Sequence, residues 1–163
     1  MTLSTTYPLG SPGVDRFSPP QLLRTARLFA SDPDLPRLVD RESGERRWIE
    51  LESSPYLQIW LLSWPAGTET GWHDHGESRG AFLTVSGTLN EQVAHGHRRI
   101  ERTLGADEGR TFGGDHIHNV TNVGLEPAFS IHLYTPRLTT MTRYAMTPAG
   151  LQIKAVEHAG TNW

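Results

Sequence analysis

Three pairs of histidines, each with one residue between its members, could bind a metal ion. The pairs are His73/His75, His95/His97 and His116/His118. In a β-strand, residues i and i+2 lie on one face, so each pair can direct two imidazoles towards one point. Because the chain has no cysteine, a metal must be bound here by histidine or carboxylate, and disulfide or thiolate chemistry of the protein itself is excluded.

The sequence around each pair separates the candidates. The second pair flanks Gly96 and is followed by two arginines, which is typical of a solvated hairpin turn. The first pair lies between Trp72 and the apolar stretch 81–83, which indicates a strand that enters a packed interior. Two satisfied polar residues at a barrel rim would give the same pattern, so this pair needs a further ligand to define a site.

A third histidine completes a pattern that resembles the bipartite signature of the cupin barrels. Its parts are His73-x-His75, a turn at Gly87, and His118-x-x-x-Asn122. Cupins normally have a glutamate that is separated from the second histidine of the first motif by three or four residues, but Arg79 and Gly80 occupy those places. We therefore expect a metal site of His73, His75 and His118. His116 shares the strand face of His118 and stays open as a substitute.

A site of neutral imidazoles favours particular chemistry. It leaves a divalent cation with its full charge and with about three vacant positions, which suits an incoming thiolate, a further donor and dioxygen. Zinc also accepts three histidines, so a metal-dependent isomerase or hydrolase stays an alternative. A non-catalytic small-molecule sensor on the same barrel is the third hypothesis.

A second set of polar residues alternates along one apolar segment. Ser130, His132 and Tyr134 alternate with apolar residues, so one strand face carries a hydroxyl, an imidazole and a phenol. A hydrolytic Ser-His pair would require a nucleophile, a base and an orienting group to converge, which residues of one strand rarely achieve.

Several further stretches of the chain combine with these motifs. They are Ser63-Trp64, His73-Asp74-His75-Gly76, Gly80 through Gly87-Thr88-Leu89, His118-x-x-x-Asn122, the segment from Glu126 to Pro136, and the segment from Leu138 to Met141. With these stretches, about residues 45–145 of the chain resemble the cysteine dioxygenase family of thiol dioxygenases. This resemblance implies a small cupin barrel with one non-haem Fe(II), which adds both atoms of O2 to the sulfur of a thiol to give a sulfinate. L-cysteine is the expected substrate, with 3-mercaptopropionate or another small thiol acid as the alternative.

The resemblance also implies roles for the alternating polar residues. Tyr134 would hydrogen-bond the substrate or oxygen, His132 would orient it, and Ser130 would hold His132. Gly80 stands where animal members have the cysteine that crosslinks to this tyrosine, so the tyrosine stays unmodified. We expect an aromatic wall around the site, formed by Trp60, Trp72 and Phe82.

The substrate carboxylate requires a charge-assisted partner, preferably arginine. Counting back without gaps from Ser63-Trp64, the family's carboxylate-binding arginine falls on Arg47, and a one-residue gap would select Arg46. Arg137 is a further candidate, since dioxygenases that act on 3-mercaptopropionate use a different arginine.

The elements that must position these residues are predominantly β-strands. Short alternating runs separated by turns predict an all-β fold, a small jelly-roll-like cupin barrel over 46–156. Before it, residues 1–45 are expected to form an extended arm and an amphipathic helix that starts after Ser18 and packs on the barrel. Residues 157–163 are expected to be a tail, and the whole chain one domain.

Composition excludes several partners. A net charge of -3 over 163 residues gives no basic field for a nucleic acid. No apolar run approaches the roughly 20 residues that cross a bilayer. We expect a cytoplasmic monomer whose partners are a small thiol and O2.

Overall fold

A computed structural model describes residues 17–40 and 43–161, which form one helix, a short 3-10 helix and eleven strands. These are α1 (Pro19–Ala30), the 3-10 helix (Leu35–Leu38), β1 (Arg47–Ser53), β2 (Gln58–Trp64), β3 (Trp72–His73), β4 (Arg79–Ser86), β5 (Leu89–His95), β6 (Arg98–Leu104), β7 (Gly109–Phe112), β8 (Ile117–Thr121), β9 (Ala128–Thr135), β10 (Thr140–Thr147) and β11 (Gly150–His158). The all-β prediction with an N-terminal helix is confirmed. Residues 1–16 of the predicted arm lie outside the described residues.

The strands form two antiparallel sheets. Sheet A has the order β1-β2-β9-β4-β7, and sheet B has the order β11-β10-β3-β8-β5-β6. Chain neighbours such as β1 and β2 pair directly, whereas β3 lies between β10 and β8 and β9 lies between β2 and β4. Segments far apart in sequence therefore meet in the middle of each sheet.

Helix α1 covers the outer face of sheet A. Its start is fixed by a capping box, in which the Ser18 amide donates to the Gln21 side chain over 2.7 Å. Leu22 and Ala26, one turn apart, are fully buried against apolar residues of sheet A. Since the inner face of this sheet is also buried, β2 and β9 are buried at every position, including the polar residues of β9.

The space between the sheets contains the second apolar cluster. Trp64 and Phe82 of sheet A and Val120 of sheet B are fully buried there. This cluster borders the polar residues that could do chemistry, so it both stabilises the barrel and excludes water from one side of the site.

The final strand is longer than the sequence predicted. β11 continues to His158, and Met141 and Thr140 of β10 pair with Glu157 and His158. The predicted tail therefore begins inside a strand, because β10 offers pairing partners along this whole stretch. Within the described residues, no helix has the length and apolar character needed to cross a membrane.

Leu22→Ala should lower the free energy of unfolding by about 2–5 kcal/mol, because it removes a fully buried side chain and leaves a cavity under α1. Leu28→Ala, at a position 71% exposed on the same helix, is the matched control and should change stability by less than about 0.5 kcal/mol. Urea denaturation measures both, and equal losses would contradict this packing.

Candidate active site

His73, His75 and His118 come together at one buried point, which we call the histidine cluster. One ring nitrogen from each lies within 4.8 Å of those of the other two, and all three side chains are buried. The ring centroids lie 4.6–5.0 Å apart. His73 of β3 is the direct cross-strand partner of His118 of β8, so a strand pairing brings two distant segments together.

Asp74, between the first two histidines, fixes this segment to β10. Its Oδ1 accepts from the Thr142 amide over 2.9 Å and its Oδ2 from the Tyr144 hydroxyl over 2.7 Å. Burial alone would raise the pKa of Asp74, but the hydrogen bonds, led by those from Thr142 and Tyr144, outweigh it and lower that pKa. Since β3 contains only two residues, these bonds supply the rigidity that a longer strand would give.

The hydrogen bonds of the cluster leave its rings able to bind a cation. His73 Nδ1 donates to the Gly71 carbonyl over 2.9 Å, and His118 Nδ1 donates to Glu91 Oε1 over 2.8 Å. In both rings Nε2 is then the atom with a free lone pair. Both ring nitrogens of His75 are buried without a hydrogen-bond partner among the described residues. Buried polar atoms normally have partners, so this arrangement fits a metal ion.

Burial keeps the rings of the cluster neutral. It lowers the pKa of His73 and of His75 well below the usual value, and neighbouring imidazoles add to the shift. Burial also lowers the pKa of His118, against the opposing effect of Glu91. Near pH 7 the three imidazoles are uncharged, which is the form that binds metals.

Glu91 is a fully buried carboxylate that sequence reasoning missed. Its Oε1 also accepts from His116 Nε2 over 3.0 Å, and its Oε2 from Arg110 Nε over 3.3 Å. Burial alone would raise the pKa of Glu91, but the hydrogen bonds from His116 and His118 outweigh it and hold that pKa well below its usual range. The only signal was its place in β5, shortly after the turn at Gly87-Thr88.

The structure also assigns a place to the other histidines. His116 bonds Glu91 rather than joining the histidine cluster, although Glu91, His116 and His118 form a second group with ligand spacing. The open alternative of His116 for His118 is therefore not favoured. His95 and His97 are exposed at the β5–β6 hairpin, as their glycine turn predicted.

Ser130, His132 and Tyr134 form a hydrogen-bonded line on the inner face of β9. Ser130 Oγ lies 2.9 Å from His132 Nε2, and Tyr134 Oη lies 3.5 Å from His132 Nδ1. Trp64 extends this line, because its indole Nε1 donates to Ser130 Oγ over 2.8 Å. The alternation in β9 predicted that these three residues share one face, but it could not predict the contact with Trp64, which belongs to β2.

Trp64 fixes one end of the line. Since an indole can only donate, Ser130 Oγ accepts a hydrogen bond from Trp64. Burial, followed by the neighbouring His118 and Arg46, lowers the pKa of His132 to about 3, so the ring is neutral and one of its two nitrogens carries a proton. Burial raises the pKa of Tyr134 well above its usual value, so the phenol keeps its proton.

Gly80 is the direct cross-strand neighbour of Tyr134. A Cβ at this position would overlap the Leu133 carbonyl oxygen and lie 2.6 Å from the Phe112 ring. Phe112 therefore fills the space that a side chain at residue 80 would need. In agreement with the absence of cysteine, Tyr134 is an unmodified phenol.

A cavity of about 100 Å³ reaches His73 of the histidine cluster and Tyr134. It has room for several water molecules or one small organic acid. Its lining consists of Arg46, Trp48, Trp60, Leu62, Thr70, His73, His132, Tyr134, Met141, Arg143 and Glu157. Of the predicted aromatic wall, Trp60 lines the cavity together with Trp48. Trp72 does not line it, and Phe82 instead stacks on His132 at 5.1 Å.

The prediction that Arg47 faces the site is wrong, because its side chain lies on the other side of the strand. Arg47 points outward, with a side chain 51% exposed and paired to Glu45 over 3.3 Å. Arg46 lines the cavity instead, with its guanidinium carbon 5.2 Å from the centre of the Trp64 ring. Strand alternation allows only one of two neighbouring residues to face inward. The alignment with a one-residue gap, which selects Arg46, gives the arginine that lines the cavity.

Arg137 also stays outside, whereas a residue that sequence reasoning did not consider lies inside. Arg137 is exposed at the surface, and Arg143 of β10 lines the cavity. Glu157, assigned to the tail by the sequence, lines it too and accepts from Arg143 Nε over 2.8 Å.

Glu91→Gln should weaken metal binding by about 10–100-fold, because the amide replaces the carboxylate that orients His118. Anaerobic Fe(II) titration against a competing chelator measures this affinity. Glu101→Gln, at an exposed position of β6, is the control and should leave the affinity unchanged. A Glu91→Gln protein that is folded and binds Fe(II) as tightly as the wild type would contradict the role assigned to this carboxylate.

Comparison with known proteins agrees with this architecture. TT1209 from Thermus thermophilus is 20% identical, with a TM-score of 0.56, and the match covers 63% of this chain and 94% of that chain. A Klebsiella pneumoniae protein with a double-stranded β-helix domain is 18% identical, with a TM-score of 0.55 and coverages of 74% of this chain and 93% of that chain. The Schizosaccharomyces pombe Cnp3 cupin domain is 14% identical, with a TM-score of 0.52 and coverages of 60% of this chain and 64% of that chain. These likenesses show the cupin fold. The family model for cysteine dioxygenase type I matches residues 37–147, a span that contains the histidine cluster, Glu91 and Tyr134. The chain belongs to the cysteine dioxygenase type I family.

Proposed function

We propose that this protein is a non-haem Fe(II) thiol dioxygenase that converts L-cysteine to its sulfinate. The observation that carries the proposal is a buried, neutral histidine cluster in which His75 has no hydrogen-bond partner among the described residues and His73 lines the same cavity as Tyr134. Family membership supports thiol dioxygenase chemistry in general. The cytoplasmic location and the monomeric state stay predictions.

Fe(II) would be held by His73, His75 and His118. When bound, it would supply the redox chemistry that joins O2 to a thiolate sulfur, in the balanced change R–S⁻ + O2 → R–SO2⁻. The residues of the chain then have to bind and orient the thiol and to exclude water. No external reductant is required by this stoichiometry.

Arg46 is the group proposed to bind the substrate carboxylate. It lines the cavity together with Tyr134, Trp48 and Trp60. A guanidinium binds a carboxylate through two parallel hydrogen bonds, which would fix the direction in which the thiol points. Tyr134, whose protonated phenol lines the cavity, would donate a hydrogen bond to the substrate or to oxygen. The two tryptophans would restrict the access of water.

The proposal is tested by measuring O2 uptake by the Fe(II)-loaded protein with cysteine, 3-mercaptopropionate and cysteamine. We expect uptake with a thiol acid, a sulfinate product, and both product oxygens from labelled O2. O2 uptake with 3-mercaptopropionate but not with cysteine would support the proposed reaction and would show that the substrate is wrongly assigned. Tight retention of zinc together with no uptake for any of these thiols would overturn the proposal and favour a hydrolase or isomerase.

Arg46→Ala should raise KM for cysteine by about tenfold or more, because a charge-assisted bond is worth roughly 1.5–3 kcal/mol. Arg47→Ala removes the neighbouring, outward arginine and should change KM by less than about twofold. Cysteamine has no carboxylate, so any activity with it should be the same in both variants. A larger effect of Arg47→Ala than of Arg46→Ala would show that the carboxylate site is wrongly assigned.

A further inference from the structure

Three charged residues line the described part of the cavity, namely Arg46, Arg143 and Glu157. Arg46 enters from the chain before β1, whereas the other two belong to β10 and β11 of sheet B. The positive charge of Arg143, next after burial, lowers the pKa of Arg46. Since Arg46 and Arg143 line the same cavity of about 100 Å³, both guanidinium groups can act on one bound ligand.

The pairing of β10 with its neighbouring strands explains why Arg143 and Glu157 both face the cavity. Arg143 is the cross-strand partner of His73 on one side, and Met141, two residues earlier, is the partner of Glu157 on the other. Residues i and i+2 share a face, so Arg143 and Glu157 are diagonal neighbours on the face of His73. The register of β10 against β11 shifts just after Arg143, as at bulges that redirect a side chain towards a site.

Two of the hydrogen-bond donors of the Arg143 guanidinium group are already in use. Its Nε donates to Glu157 Oε2 over 2.8 Å and its Nη1 donates to the Thr70 carbonyl over 3.1 Å. The two side chains are only 24% and 26% exposed, which makes the pair less screened than one at the surface. Glu157 thus neutralises Arg143, and the cavity keeps the net charge of one cation, that of Arg46.

We propose that Glu157 restricts this cavity to thiols with a single carboxylate, by holding Arg143 in an ion pair and by repelling a second negative group. The inference rests on the proposed function and names the substrate class for that site. Arg143 would become a second carboxylate-binding group once Glu157 is neutralised. Glu157 lies beyond the residues that match the family model, which end at 147.

Glu157→Gln tests the restriction, because it removes the charge and keeps the shape. The probes are 3-mercaptopropionate, with one carboxylate, and mercaptosuccinate, with two. Binding to the Fe(II)-loaded protein is measured by calorimetry without O2, so that no turnover occurs, and KM values follow from O2 uptake. We expect the wild type to prefer the monocarboxylic thiol, and the variant to bind mercaptosuccinate about tenfold more tightly, as expected for the loss of one like charge nearby.

Two further variants separate charge from structure. Glu101→Gln, exposed on β6, should leave the preference unchanged. In the double variant Glu157→Gln with Arg143→Gln, the gain for mercaptosuccinate should disappear, since the second cation is gone. An unchanged preference in Glu157→Gln, or an equal loss for both probes as from a loosened strand, would overturn the inference.

The outcome is distinguishable from failure of the proposed function. Propionate and succinate carry the same carboxylates without the thiol, so their binding reports on the charge of the cavity even if no thiol is oxidised. We expect Glu157→Gln to shift the preference towards succinate in the same direction. No O2 uptake combined with this shift would contradict the dioxygenase proposal alone.

Discussion

The hydrogen bond between His118 and Glu91 is the contact on which the site depends. A neutral imidazole has one lone pair for a metal, and the partner of its other nitrogen decides where that lone pair points. Glu91 orients His118 in this way, and the Gly71 carbonyl orients His73. The carboxylate is therefore kept behind the imidazole, where it orients the ring while leaving the cluster itself uncharged. A cation bound at the cluster would keep its charge for an incoming thiolate.

The two sheets contribute different parts of the site. Sheet B supplies the β3–β8 pairing of His73 with His118 and, through β10 and β11, the ion pair of Arg143 with Glu157. Sheet A supplies the line of hydrogen bonds along β9 that ends at Tyr134. Trp64 links that line to the apolar core between the sheets. The packing of the sheets thus sets the distance between the metal-binding side and the proton-donating side, so the core acts on function as well as on stability.

The sequence was informative where chemistry depends on local spacing. Alternation in β9 predicted that Ser130, His132 and Tyr134 share a face, and the predicted turn at Gly87 lies between β4 and β5. It was uninformative about contacts between distant strands that no motif marks. Glu91, Arg143 and Glu157 come from three strands, and none has a neighbour in sequence that marks it as part of a site. A one-residue ambiguity was sufficient to assign the wrong arginine, because Arg46 and its neighbour face opposite sides.

We propose that three neutral histidines hold the metal while Glu91 stays outside its coordination. A crystal structure of the Fe(II)-loaded protein, with iron located by anomalous scattering, tests this arrangement. We expect iron bound to His73, His75 and His118, with Glu91 still hydrogen-bonded to His118 Nδ1. Iron bound by a Glu91 oxygen, with His116 as a ligand, would contradict it.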